Sequence, residues 1–260
     1  MKLADRLLLA VIAVTAALLV ADALSGGAVG AVMDGHISAV AAIIGRFLGW
    51  IGWAISPFLF IALVCALYGR FKGLPTPVSK LLRRVIMVLD AISVTIGDMV
   101  RWAALALVLV TGLIVVQRYV FGVSLTKLQE SVIYLHAILF LLSSAATLYN
   151  GGHVRVDIVY SKLSDHGKAW TDLLGVYLAL IPMCWLILIT AESYVGGAWR
   201  ILERSRESDG LPLVFLLKTA IPVFAVMMIG QGFAMASRAA LTLSGETPPP
   251  SGHDNAEHEL

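Results

Sequence analysis

The chain has 260 residues, of which 59% are hydrophobic and 14% are charged, and its mean hydropathy is +0.87. Soluble domains typically carry about 25% charged residues, so this composition excludes an ordinary soluble domain and indicates a protein surrounded by membrane lipid. The formal net charge of +2 gives no reason to expect nucleic acid as a partner.

Six apolar runs approach the roughly 20 residues that a helix needs to cross the hydrocarbon core of a bilayer. The runs are continuous rather than alternating, which is typical of membrane helices and not of a membrane β-barrel. The sequence therefore predicts an all-α integral membrane protein with six transmembrane helices. The predicted spans are Leu7–Leu24, Phe47–Tyr68, Val100–Val120, Ser131–Tyr149, Leu173–Tyr194 and Leu213–Met235.

The first predicted span has the features of a signal peptide. Lys2 and Arg6 precede its apolar run, and Ala21-Asp22-Ala23 is similar to a cleavage site. We interpret this segment as a retained helix. Together with the second span it forms a predicted accessory pair of N-terminal transmembrane helices over residues 1–72.

Residues 73–99 are predicted to form a linker followed by an amphipathic helix. Pro75 and Pro77 mark the break after the accessory pair. From residue 80 onward the apolar side chains fall on one helical face, and the charged ones, including Asp90, lie largely elsewhere. Such a segment can lie in the membrane interface as a separate helix or extend the next span, and the pattern leaves both interpretations open.

The remaining sequence predicts a four-helix core over residues 100–240 and a disordered tail over 241–260, which is rich in Pro, Glu and His. Membrane proteins carry an excess of Lys and Arg on the cytoplasmic side. With the N-terminus inside, twelve of the nineteen Lys and Arg residues fall on the cytoplasmic side and seven on the other. The sequence therefore predicts that both termini are cytoplasmic.

Short polar motifs flank the fourth predicted span on both sides. Before it stand Arg118-Tyr119-Val120-Phe121-Gly122 and then Leu128-Gln129-Glu130. After it stands Asn150-Gly151-Gly152-His153-Val154-Arg155-Val156-Asp157. A lipid-embedded helix rarely carries this much ordered polarity at both ends unless the ends bind something.

This ordered set of motifs resembles the small membrane subunit of tripartite ATP-independent periplasmic (TRAP) transporters. In that family one span ends in Arg-Tyr-x-Phe, a carboxylate-bearing helix leads into the next, and that span ends in Gly-His-x-Arg-Val-Asp. The resemblance covers roughly Val100 to Arg238. Family members often have two acidic residues where this chain has Gln129-Glu130.

The resemblance implies a small permease subunit in the bacterial inner membrane. Such a subunit braces a large membrane permease subunit, which carries substrate and sodium. It also helps to dock a periplasmic substrate-binding protein that delivers an organic acid. These expectations make the polar residues at the ends of the spans candidates for the partner interface. The candidates are Arg118, Gln129, Glu130, His153, Arg155, Asp157, Glu192 and Lys218.

Two pairs of these candidates are placed to interact at the external ends of the spans. A short loop joins Arg118 to Glu130, which predicts a salt bridge between them or a contact with a partner. Glu192 and Lys218 each lie inside the external end of a span, so they are expected to pair across the fifth and sixth helices. Ordinary interfacial snorkelling is the alternative for all four.

The motif after the fourth span has two interpretations. Gly151 and Gly152 favour a helix stop, and Asp157 is placed to cap a short segment that ends at Leu163. In that interpretation the side chains of His153 and Arg155 are only hydrated or form ion pairs with nearby residues of this chain. In the other interpretation these residues form a docking surface for a second membrane protein.

No enzyme motif is found in the sequence. It lacks His-Glu-x-x-His, Gly-x-Ser-x-Gly and a P-loop, so it predicts no catalytic residue, metal site or cofactor, and the chain cannot itself be an ATPase. The alternative function is a haem- or quinone-binding anchor of a respiratory enzyme, because His136 lies inside the fourth span. A second ligand is not evident, since His153 lies seventeen residues further on, about 25 Å along the same predicted helix.

Overall fold

The structure, a computed structural model, describes residues 2–153 and 157–252. The regular elements in these two ranges are all helical. In chain order they are α1 (Leu3–Leu24), α2 (Ala28–Ile55), a 3-10 segment (Ser56–Phe60), α3 (Ile61–Lys72), α4 (Thr76–Val120), α5 (Thr126–Tyr149), α6 (Asp157–Tyr160), α7 (Asp165–Gly175), a π-helical segment (Val176–Leu180), α8 (Ile181–Arg200) and α9 (Val214–Leu243).

Within the described ranges, six helical stretches are long and apolar enough to cross a membrane, which confirms the predicted all-α membrane fold. The second stretch begins at Ala28 rather than at Phe47, the predicted start. It begins early because Gly26 and Gly27, with φ of +65° and +90°, already make the turn after α1. The stretches are Leu3–Leu24, Ala28–Lys72, Thr76–Val120, Thr126–Tyr149, Asp165–Arg200 and Val214–Leu243.

Two prolines interrupt α-helical geometry inside the spans. Pro57 lies in the 3-10 segment and cannot donate a hydrogen bond to the carbonyl of Trp53. The hydroxyl of Ser56 donates to that carbonyl instead, at 2.9 Å. Pro182 follows the π-helical segment, whose middle residue is Leu178, four positions earlier. In a regular α-helix the ring of Pro182 would clash with the Leu178 carbonyl, and the wider turn of the π-helical segment lies at this position.

The amphipathic segment before the third span is the first half of α4, a helix of 45 residues that continues into the span. It is therefore an extension of the span and not a separate helix. One face of this half is buried, with successive members three or four residues apart, as a helix requires. Its buried members are Ser79, Leu82, Ile86, Asp90 and Ser93. The prediction that Asp90 lies away from the apolar face is therefore wrong, because Asp90 is part of the buried face.

The described residues form two compact units. The first comprises residues up to 51 together with 98–142 and 190–221. In this unit, charged groups join the start of α1 to α4: Lys2 pairs with Asp98 at 3.2 Å, and Arg101 lies 3.5 Å from Asp5. The indole N–H of Trp102 donates to the Asp5 carboxylate at 3.2 Å, which adds a hydrogen bond to the same contact.

The second unit comprises the described residues of 52–97, 143–189 and 222–260 and contains the main apolar core. Ala62 and Ala66 of α3 are fully buried in this core, beside Leu173 of α7 and Ala240 of α9. The hydroxyl of Tyr177 donates to the Leu59 carbonyl, which fixes the π-helical segment against the 3-10 segment. Small residues thus let α3 pack closely in the core of this unit.

The chain after α9 makes specific contacts in the second unit. Glu246 pairs with Arg83 at 2.9 Å, and the carbonyls of Pro249 and Pro250 accept hydrogen bonds from Arg238. The predicted disorder over 241–260 therefore does not begin at 241, because two arginines bind this part of the tail. Residues 253–260 lie outside the described residues.

Candidate functional site

The carboxylate of Glu130 joins the start of α5 to the loop between α8 and α9. One of its oxygens accepts a hydrogen bond from the Ser205 hydroxyl, and the other accepts one from the Leu211 N–H at 2.6 Å. Within the loop, the Ser205 N–H donates to the Leu211 carbonyl at 3.1 Å, so the two groups that bind Glu130 are held together. Hydrogen bonds to a charged group are among the stronger ones in proteins. Glu130 therefore acts as a brace for this loop.

The predicted salt bridge between Arg118 and Glu130 is wrong. Both carboxylate oxygens of Glu130 accept hydrogen bonds from the loop between α8 and α9. Arg118 lies exposed on the last turn of α4. No hydrogen bond or ion pair joins Arg118 to another residue that the structure describes. Gln129 is also exposed, and its side-chain amide donates to the Ser124 hydroxyl at 2.8 Å.

The predicted pair between Glu192 and Lys218 is also wrong. The ammonium of Lys218 pairs with the carboxylate of Glu203 and lies 3.9 Å from the centre of the Tyr194 ring. Side chains on a helix point towards its N-terminus, so Lys218 on the second turn of α9 points towards the preceding loop, which contains Glu203. Glu192 is exposed and pairs with no other residue in the described ranges.

The polar motif after the fourth span is only partly described. Helix α5 ends at Tyr149, and Gly151 adopts a φ of +65°, so His153 lies beyond the helix and not along it as predicted. His153 is exposed, with Nε2 3.4 Å from the Ser144 carbonyl oxygen. Asp157 is the first residue of α6, but its side chain, like the whole of Arg155, lies outside what the structure describes.

A buried polar network in the second unit was not predicted from the sequence. Asp90 and Arg238 form a bidentate ion pair between α4 and α9, and their side chains are only 13% and 12% exposed. The side-chain amide of Gln231 donates to Asp90 at 3.0 Å and accepts from the Ser93 hydroxyl at 2.8 Å. Every polar group of the network therefore has a partner, which a buried charge requires.

Arg238 also binds the chain that follows α9. Its guanidinium donates to the carbonyls of Pro249 and Pro250 at 3.0 and 3.1 Å, and it lies 5.9 Å from the centre of the Tyr149 ring. The signal for this network was present in the sequence: Asp90 and Ser93 continue the spacing of Leu82 and Ile86 along α4. Arginine is suited to such a site because its planar group binds a carboxylate through two bonds.

The second unit also contains an apolar cavity of about 440 Å³. It offers mainly hydrocarbon and aromatic surface, which does not suit a charged organic acid. Among the described residues, no cluster of three or more His, Cys, Asp or Glu is placed to hold a metal ion. The cavity is lined by Ser56, Leu59, Phe60, Tyr177, Ile181, Pro182, Trp185, Leu186 and Ile189.

Comparison with protein-family models matches residues 107–242 to the family described as "Tripartite ATP-independent periplasmic transporters, DctQ component". Searches of the curated proteins and of the solved structures each found no match. The family match covers more than half of the chain and includes α5, the loop that Glu130 braces and the arginine of the buried network. The chain therefore belongs to the DctQ family, the small permease component of TRAP transporters.

Proposed function

We propose that this subunit is a scaffold, which braces the large permease subunit and helps to dock the periplasmic binding protein during sodium-driven uptake of an organic acid. Membership of the DctQ family implies association with a large permease and a binding protein. The driving ion, the substrate class and the docking role extend beyond that membership and rest on the resemblance of the sequence motifs, whereas the contacts described above support the scaffolding role.

The main support for the proposal is that charged groups of this chain pair with other groups of the same chain. Glu130, Lys218 and the Asp90–Arg238 pair each join two elements of the same chain. Transport pathways usually present polar groups to a water-filled path at mid-membrane, often on broken helices. Groups that are already bound to one another rigidify a bundle instead, so they suit a scaffold.

The remaining candidates are proposed as contacts with partners. Arg118 and Glu192 are exposed and make no ion pair with the described residues. We assign the binding protein to the side of the membrane that carries the loop braced by Glu130. The motif of His153, Arg155 and Asp157 lies after the fourth span, and we assign it to the large subunit.

We propose that both termini are cytoplasmic, on the basis of the distribution of Lys and Arg. Cysteine introduced by Ser124→Cys or Ser208→Cys, in two exposed loop positions, is expected to react with a membrane-impermeant maleimide added from outside. Thr76→Cys, exposed at the start of α4, is expected to react only after permeabilisation. The native Cys65 and Cys184 are buried and provide an unreactive background. The opposite labelling pattern would refute the orientation.

Assembly is tested by purification from the native membrane in a mild detergent. We expect the chain to be recovered with a larger polytopic membrane protein, whereas repeated recovery of this chain alone would contradict the proposal. The alternative, a haem-binding anchor, predicts a visible haem absorption band in the same sample. We expect no such band, because His136 lies beside Phe140 and its ring makes no contact with a second histidine among the described residues.

A further inference from the structure

Helix α5 carries one narrow stripe of exposed residues, here called the α5 stripe: Gln129, Ile133, His136 and Phe140. Every other residue from Leu128 to Tyr149 is buried or half-buried. Positions four, three and four residues apart share one face of a helix. Ile133 and Phe140 are 60% and 65% exposed, so the stripe presents apolar surface on both sides of the histidine.

His136 has no hydrogen-bond partner among the described residues. Its ring stacks on Phe140, with the ring centres 6.4 Å apart, but this contact satisfies neither ring nitrogen. The residue lies about 15 Å along the helix from Thr126, close to the middle of α5. Within the hydrocarbon core of a bilayer, water is not present to hydrogen-bond an imidazole.

The position of His136 argues against a stripe that faces lipid. Histidines within transmembrane helices are rare, and they almost always face the interior of a bundle or a polar partner. His36, a second histidine within an apolar stretch, has its Nδ1 3.0 Å from the carbonyl oxygen of Val32, so its ring is satisfied locally. His136 lacks such a partner within the chain, and a second membrane protein is the simplest source of one.

We propose that the α5 stripe docks a transmembrane helix of the large permease subunit, and that a hydroxyl or amide side chain of that helix hydrogen-bonds the His136 imidazole. The proposal rests on the proposed function, because it assumes that the large subunit is the partner. Ile133 and Phe140 pack against the docked helix on either side of the polar contact. Membrane helices associate through this combination of close packing and interhelical hydrogen bonds.

The polar contact is tested in the full-length chain, co-expressed with the large subunit of the same transporter and studied in a mild detergent. His136→Phe removes the ring nitrogens but keeps an aromatic ring, and it is expected to lower the apparent affinity about three- to thirty-fold in a dilution series. His136→Asn, which can still hydrogen-bond, is expected to recover part of this loss. The control, His36→Phe, is expected to leave the affinity unchanged.

A second measurement does not depend on altering His136. Phe140→p-benzoylphenylalanine keeps the ring in place and is expected to crosslink to the large subunit on illumination. A crosslink to a second copy of this chain, or to lipid alone, would overturn the proposal. A crosslink to the large subunit with undiminished affinity of His136→Phe would overturn the role of the imidazole. If the wild-type chain does not bind the large subunit at all, the proposed function itself fails.

Discussion

Replacing Arg238 with alanine is expected to destabilise the folded chain by about 3–5 kcal/mol, because Asp90 would be left in a buried site without its ion-pair partner. Gln231 would still donate to Asp90, but one amide hydrogen bond does not replace a bidentate ion pair. The tail would also lose its contacts, since Arg238 donates to Pro249 and Pro250. Thermal unfolding of the purified protein in detergent measures the loss.

The matched control is Arg84→Ala, because Arg84 is exposed on the same helix as Asp90 and has no ion pair among the described residues. We expect it to leave the unfolding temperature nearly unchanged. The double variant Asp90→Leu with Arg238→Met removes both charges and is expected to recover part of the stability, since buried pairs can often be replaced by apolar side chains. Equal stability of Arg238→Ala and Arg84→Ala would show that the pair does not hold α4 to α9.

Replacing Glu130 with alanine is expected to release the loop between α8 and α9. The loop would lose two hydrogen bonds to a charged group, each worth about 1.5–3 kcal/mol. Arg204 and Arg206 lie in this loop and are exposed, so they report its opening as trypsin sites. The two bonds together are worth about 3–6 kcal/mol, and cleavage follows the population of the open form, so we expect cleavage to accelerate about a hundred- to ten-thousandfold.

The control for this experiment is Gln129→Ala, one residue away. Gln129 is exposed and binds only the Ser124 hydroxyl in the neighbouring loop, so its loss is expected to leave trypsin cleavage unchanged. Glu130→Gln keeps one strong acceptor and is expected to give an intermediate rate. Cleavage of Glu130→Ala at the wild-type rate would show that the loop is held by other contacts.

The spans could be predicted from the sequence because each depends on a continuous apolar run, and a helix is the only element here that satisfies its own backbone in lipid. The start of the second span was missed because the residues from Ala28 onward include glycines and polar groups that lower the local hydropathy. The structure continues the helix through them, since only Gly26 and Gly27 adopt a positive φ there.

The partners of the charged residues could not be predicted in the same way. Asp90 and Arg238 are 148 residues apart in the chain, and Glu130 and Ser205 are 75 apart. Periodicity shows which face of a helix is buried, but it does not show which helix covers that face. Arg118 and Glu130 were paired because they are close in sequence, whereas the loop after α8 supplies the actual partners of Glu130.

We propose that this chain supports transport by a larger subunit and does not carry the substrate itself. This proposal is tested most directly by sodium-driven uptake into proteoliposomes of a labelled organic acid that the binding protein binds. We expect uptake when this chain, the large subunit and the binding protein are all present, and none when this chain is reconstituted alone or omitted. Uptake by this chain alone, or undiminished uptake without it, would show that the chain is not a supporting subunit.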